Sequence, residues 1–164
     1  MLKQVIPARV RRGAFRGRFA IVASRYNARY VDGMLRAARQ TLQSAHAERV
    51  LVVRVPGAYE IPVVAARLAR TQQPALSAIL CLGVILRGET THAQHIGEAV
   101  TYALTRIQLQ YEIPVIHEVL LFENVAQAEA RCLSRDHNRG AEAAHTALTM
   151  AAVLDSLGPP PVRR

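Results

Sequence analysis

Short apolar runs rich in strand formers alternate, along most of the chain, with longer stretches whose apolar residues recur every three or four positions. Residues 19–23 read FAIVA and end in the polar turn Ser24-Arg25-Tyr26-Asn27. Val31, Leu35, Ala38 and Leu42 then form one stripe of an amphipathic helix. Residues 50–55 (VLVVRV) predict a second strand closed by Pro56-Gly57, and Pro62 suits the first turn of a helix that buries Ile61, Val64, Ala65 and Leu68. Residues 75–86 hold the longest apolar stretch, broken at Gly83, which reads as a central strand buried on both faces. After the polar loop from Arg87 to His92, a helix turns Ile96, Val100, Ala103, Leu104 and Ile107 inward. Residues 114–121 predict a fourth strand and residues 124–133 a shorter helix. A last long helix carries Ala144, Leu148, Ala151, Leu154 and Leu157 and stops at Gly158-Pro159.

Strands that alternate with helices need crossover connections, and no Asn-Gly or Asp-Gly hairpin signal interrupts the order. The fold class is therefore α/β: one doubly wound domain with a parallel sheet and helices on both faces. The chain's 164 residues, 51% of them apolar, suffice for one substantial core. With aromatics at 5% and no Trp, that core is aliphatic.

Lys and Arg number 21 against 12 for Asp and Glu, giving a net charge of +9. The excess is concentrated in an N-terminal arm: Lys3, Arg9, Arg11, Arg12, Arg16 and Arg18 lie there without an acid among them. A solvated arm and an arm that touches RNA or cargo both fit this charge. Cys81 and Cys132 lack metal-knuckle spacing, which argues against a zinc finger or disulfide scaffold and fits a reducing cytoplasm. There is no secretory h-region and no apolar run of about 18 residues, so neither secretion nor a membrane partner is expected.

In a doubly wound sheet, ligands bind outside the carboxyl ends of the strands, so the loops at 24–28, 56–60, 86–92 and 120–124 are the ones to read. His92 falls on the first turn of a helix, where the helix dipole disfavours the imidazolium and favours a proton-accepting ring. Gly88-Glu89-Thr90-Thr91 just before it fits an anion cradle and an ordinary N-cap equally well. Glu60 at a helix start suits the helix dipole, Arg131 a solvated helical surface, and Tyr26 an exposed turn. His92, His95 and His117 make a metal site conceivable, but no Cys or acid stands at ligand spacing and none is expected.

Taken in order, Ser24-Arg25-Tyr26-Asn27, residues 55–62 (VPGAYEIP), residues 83–92 (GVILRGETTH) and residues 138–144 (NRGAEAA) are similar to the lumazine synthase family from about residue 18 to residue 155. The second and third segments carry most of the resemblance. It implies a three-layer, doubly wound, flavodoxin-like fold with a four-stranded parallel sheet. It also implies condensation of 5-amino-6-(D-ribitylamino)uracil with 3,4-dihydroxy-2-butanone 4-phosphate to 6,7-dimethyl-8-ribityllumazine, with no cofactor and no metal. His92 matches the family's catalytic histidine. Gly88, Glu89 and Thr90 match its phosphate-binding stretch, with Glu89 contributing backbone N–H, and Arg131 matches its phosphate-binding arginine. Glu60 would accept hydrogen bonds from ribityl hydroxyls, while Ala58, Tyr59, Val84, Ile85 and Leu86 would line the pyrimidine pocket and Tyr26 would stack on the ring.

Two departures from the family stand out. Ala93-Gln94-His95 follow the histidine where an aromatic and then an acid are usual, and His117-Glu118 replace aromatic-glycine in the fourth strand. The family's aromatic reaches the pyrimidine of a neighbouring subunit's site, a place His117 would take. These departures motivate a rival reading, a paralogue that binds lumazine or flavin or builds a shell without turnover. The expected organisation is a basic arm at 1–17, the synthase domain at 18–157 and a loose Pro-rich tail at 158–164. The expected partners are small-molecule substrates and further copies of the chain, built from pentamers with sites between subunits. Neither nucleic acid nor membrane is an expected partner.

Overall fold

The computed structural model describes residues 17–158. The expectations for the basic arm and for the tail beyond Gly158 fall outside them. Four strands and five α-helices follow one another as β1 (Arg18–Ser24), α1 (Ala28–Ser44), β2 (Arg49–Val55), a single 3₁₀ turn (Ala58–Glu60), α2 (Ile61–Thr71), β3 (Ala78–Leu86), α3 (His92–Tyr111), β4 (Val115–Phe122), α4 (Val125–Cys132) and α5 (Arg139–Leu157). The sheet order is β2-β1-β3-β4 and every pairing is parallel. This is the expected doubly wound, flavodoxin-like α/β architecture.

Period-two alternation splits the core into two layers. Phe19, Ile21 and Ala23 of β1, with Leu80, Leu82 and Val84 of β3, pack against α1 and α5. Ala20 and Val22, with Ile79, Cys81 and Ile85, pack against α2 and α3 on the other face. The central strand β3 is buried on both faces, but it starts at Ala78: residues 75–77 stay outside the ladder. The helix stripes fall largely inward, with Val31, Ala38, Leu42, Ile61, Ala65, Leu68, Val100, Leu104, Ile107, Ala144, Leu148 and Ala151 buried. The last turn of α5 differs, since Leu157 is 75% exposed. Gly158 ends that helix with a left-handed φ of 79°, which a glycine adopts without steric cost.

The Asn138-Arg139-Gly140 segment has a structural task. Asn138 caps α5 by accepting from Gly140 N–H at 2.9 Å while its amide donates to the Cys132 carbonyl at 2.7 Å. A Cβ on Gly140 would collide with the Met34 backbone, so this glycine lets α5 lie directly on α1. Beside it, Arg139 grips the buried carboxylate of Glu118 through Nε at 3.0 Å and Nη2 at 2.9 Å. Burial pushes the Glu118 carboxyl up to about 7 against the opposing pull of Arg139.

Candidate active site

The site begins with three loops that converge at the carboxyl edge of the sheet. After β1, Arg25 N–H donates to the Val55 carbonyl at 2.8 Å, and Tyr26 N–H to the Pro56 carbonyl at 3.0 Å. The turn after the first strand is thereby zipped to the end of β2. Asn27 adopts a left-handed conformation, φ 54° and ψ 40°, which asparagine tolerates better than most residues. Its side chain donates to the Val84 carbonyl at 2.8 Å and fastens the same turn to β3. In the loop after β2, Gly57 N–H donates to Glu60 Oε2 at 2.9 Å, half of a capping box that fixes the carboxylate at the entrance to α2.

Between these loops and the start of α3 lies a cavity of about 790 Å³. Tyr26 and Asn27, residues 57–60, residues 84–86, and His92, His95, Ile96 and Ala99 line it. It sits where the chain order reverses direction, between β1 and β3, as expected for a ligand site in this architecture. Its mouth is open: Tyr26 and Tyr59 are 69% and 65% exposed. The lining combines aliphatic side chains from β3 with two tyrosines, one carboxylate and two imidazoles. Such a set can enclose a flat ring, accept hydrogen bonds from hydroxyls and carry protons.

Of the residues singled out in the sequence, the structure brings Tyr26, Ala58, Tyr59, Glu60, Val84, Ile85, Leu86 and His92 to this one cavity. Gly88, Glu89 and Thr90 lie outside the lining, exposed in the loop that leads into α3. A Cβ on Gly88 would meet nothing within 4 Å, so no contact among the described residues demands a glycine there. Thr91 occupies the N-cap position of α3 without a side-chain cap bond, while Thr90 Oγ1 accepts from His92 N–H at 3.4 Å.

His117 and Arg131 are not in the lining. His117 turns onto its own α3, where Nε2 lies 2.8 Å from Thr101 Oγ1 and Nδ1 accepts from Val119 N–H at 3.2 Å. An accepting Nδ1 leaves the proton on Nε2, and burial lowers the ring's pKa, which favours the neutral ring. Arg131 is exposed at the end of α4. The fourth candidate loop, 120–124, also contributes nothing to the cavity. Sequence reasoning passed over Gly57, Asn27, His95, Ile96 and Ala99 as lining residues. An Asn in a strand-to-helix turn is itself a signal for left-handed backbone. The i, i+3 and i, i+4 spacing from His92 could have found His95 and Ile96. Among the described residues, no cluster of His, Cys, Asp or Glu could hold a metal ion, and no helix is long and apolar enough to cross a membrane.

Fold and cavity together give a doubly wound, parallel α/β domain with a cavity of small-molecule size at its switch point. The family model described as 6,7-dimethyl-8-ribityllumazine synthase matches residues 16–155. The chain is 46% identical to the 6,7-dimethyl-8-ribityllumazine synthase of Stenotrophomonas maltophilia (strain K279a) over 142 residues, 85% of this chain and 90% of that one. It is 42% identical to the enzyme of the same name from Xanthomonas oryzae pv. oryzae (strain PXO99A), over 85% of this chain and 91% of the relative. The chain belongs to the 6,7-dimethyl-8-ribityllumazine synthase family.

Proposed function

We propose that this chain is the lumazine synthase of riboflavin biosynthesis. It condenses 5-amino-6-(D-ribitylamino)uracil with 3,4-dihydroxy-2-butanone 4-phosphate to 6,7-dimethyl-8-ribityllumazine, releasing phosphate and water. The observation that carries the reading is the placement of His92, Glu60 and Tyr26 around one cavity. In this scheme the pyrimidine stacks on Tyr26 against Ala58, Tyr59, Val84, Ile85 and Leu86, and Glu60 accepts hydrogen bonds from the ribityl hydroxyls. The 5-amino group attacks the ketone and water leaves as the imine forms. Inorganic phosphate is then eliminated, and the ribitylamino nitrogen closes the ring with loss of a second water. His92 takes and returns protons along this sequence. Both substrates already carry activated carbons, so the protein's main contribution is to hold them together and move protons.

The phosphate falls to the exposed loop of Gly88, Glu89 and Thr90, whose backbone N–H groups at the start of α3 favour an anion. Arg131 supplies a guanidinium to the same phosphate from an adjoining subunit, and His117 approaches the pyrimidine across that boundary. This division of the site needs adjoining copies of the chain; the family resemblance makes that assembly a homo-oligomer built from pentamers, and the cysteine usage suits the cytoplasm. Val63 of α2 with Tyr102 and Leu109 of α3, each at least 66% exposed, provide apolar surface that a neighbouring copy would cover. The test is the purified full chain with both substrates, followed by lumazine absorbance or fluorescence. Turnover supports the synthase. Product binding without turnover supports a non-catalytic lumazine-binding relative instead.

A further inference from the structure

Gly57 sits between two cavity residues and touches both. Its backbone is extended, φ −132° and ψ −178°, a conformation open to any residue, so the chain's course does not call for a glycine here. The neighbours do. A Cβ on residue 57 would lie 2.9 Å from Glu60 Oε2 and 2.9 and 3.1 Å from Cδ2 and Cε2 of the Tyr26 ring. Carbon atoms pack favourably only at about 3.5–4.0 Å, so a methyl group there must push both side chains away. At the same time the Gly57 N–H holds Glu60 Oε2 at 2.9 Å.

We propose that Gly57 is a positioning residue that fixes the gap between the Tyr26 ring and the Glu60 carboxylate, and so selects a flat heterocycle bearing a hydroxylated chain. Resting on the proposed function, it adds a specificity-determining residue to that site. The reason the effect is confined to the site is mechanical. Glu60 Oε2 ends a flexible side chain and Tyr26 is 69% exposed, so both can move with little cost to the fold. Gly140 is the contrasting case, because its missing Cβ faces the Met34 backbone, which cannot yield.

The experiment is Gly57→Ala in the full chain, read by steady-state kinetics with both substrates, thermal unfolding and a crystal structure of the variant. The expected result is a KM for the pyrimidine raised about tenfold, with kcat and the KM for the sugar phosphate each within about threefold of the parent. The unfolding midpoint should stay within about 3 °C. In the crystal, the Tyr26 ring or the Glu60 carboxylate should be displaced. An unchanged pyrimidine KM, or equal losses for both substrates, overturns the proposal. So does a midpoint lowered as far as that of Gly140→Ala, since Gly57 would then serve the fold. Should the parent protein turn over neither substrate, the proposed reaction fails, and the variant's crystal structure still decides the matter: Tyr26 and Glu60 left in place would refute a positioning role for Gly57, and their displacement would support it.

Discussion

The side-chain amide of Asn27 donates to the Val84 carbonyl at 2.8 Å, which fastens the turn after the first strand to the wall of the cavity on the third. Asn27 also holds a left-handed φ of 54°, so one residue answers two demands. Substitution separates them. Asn27→Gly keeps the backbone and loses the bond, whereas Asn27→Ala loses both, and the alanine variant should be less stable than the glycine variant by about 1 kcal/mol. Both should lose about 1 kcal/mol of stability with the hydrogen bond, and both should bind the pyrimidine more weakly because the turn that carries Tyr26 is no longer fastened to β3. Denaturant unfolding and pyrimidine KM read the two effects; equal stabilities would show that residue 27 does not matter through its backbone.

His92→Ala should lower kcat by about a hundredfold or more, the ordinary contribution of a positioned proton carrier, with the unfolding midpoint little changed. His92 is exposed at the first turn of α3 and packs into neither core layer, which is why the fold should tolerate its loss. A variant with parental turnover would remove this imidazole from the mechanism.

Arg131→Ala should weaken the sugar phosphate far more than the pyrimidine, because removing a charge-assisted phosphate contact costs about 1.5–3 kcal/mol. Equal loss for both substrates contradicts the phosphate assignment. The proposed division of the site adds a sharper test. Unfolded His92→Ala and Arg131→Ala chains, mixed and refolded together, should be more active than either alone when assayed at sugar phosphate well below the KM of Arg131→Ala, since some boundaries then pair an intact His92 with an intact Arg131. Absence of any recovery in verified mixed oligomers would place both groups on the same subunit.

Glu118 and His117 are adjacent on β4 and respond to pH in opposite senses. Burial raises the Glu118 carboxyl to about 7 from an ordinary 4.5. Between those values the folded chain holds a proton that the unfolded chain has released, so this group's contribution to stability falls as pH rises through that window. Glu118→Gln removes the dependence. The stability of the parent relative to this variant should therefore decline from pH 4.5 to pH 7, as measured by denaturant unfolding at several pH values. A relative stability that rises over this range would mean that Arg139, not burial, governs the carboxyl.

His117 has its pKa lowered by burial from 6.5. As pH falls below that value, the unfolded chain takes up a proton that the folded ring refuses, and stability drops. At pH 6.5, where an ordinary imidazole is half protonated, the ring's nitrogen resonances should report mainly the neutral Nε2–H form, and Thr101→Val should disturb that signature by removing the hydroxyl at 2.8 Å. A ring at least half protonated at pH 6.5 contradicts the arrangement seen here.

The elements themselves were legible because burial leaves a period in the sequence. The continuous apolar runs at residues 19–23 and 50–55 mark strands, and stripes such as Val31, Ala38 and Leu42 record which side of a helix meets the core. Crossovers between successive strands then left little choice but a parallel, doubly wound sheet. Boundaries were less legible: residues 75–77 are apolar enough to extend β3, yet the ladder opens only at Ala78, where pairing with β1 begins. Leu157 continues the stripe of α5, but among the described residues it is left 75% exposed.

The site divides along the same line. The residue types in the loops after β1, β2 and β3, with the order of the segments around them, determined the family and nominated the side chains that line the cavity. Only the tertiary structure decided that three of the four candidate loops converge, that His117 turns onto Thr101, and that Arg131 stands outside the cavity. It also supplied Gly57, which has no side chain to advertise and an unremarkable backbone. The physical reason is that local sequence encodes local preferences, propensity and the buried face, whereas the distance between loops far apart in the chain is set by how the layers pack.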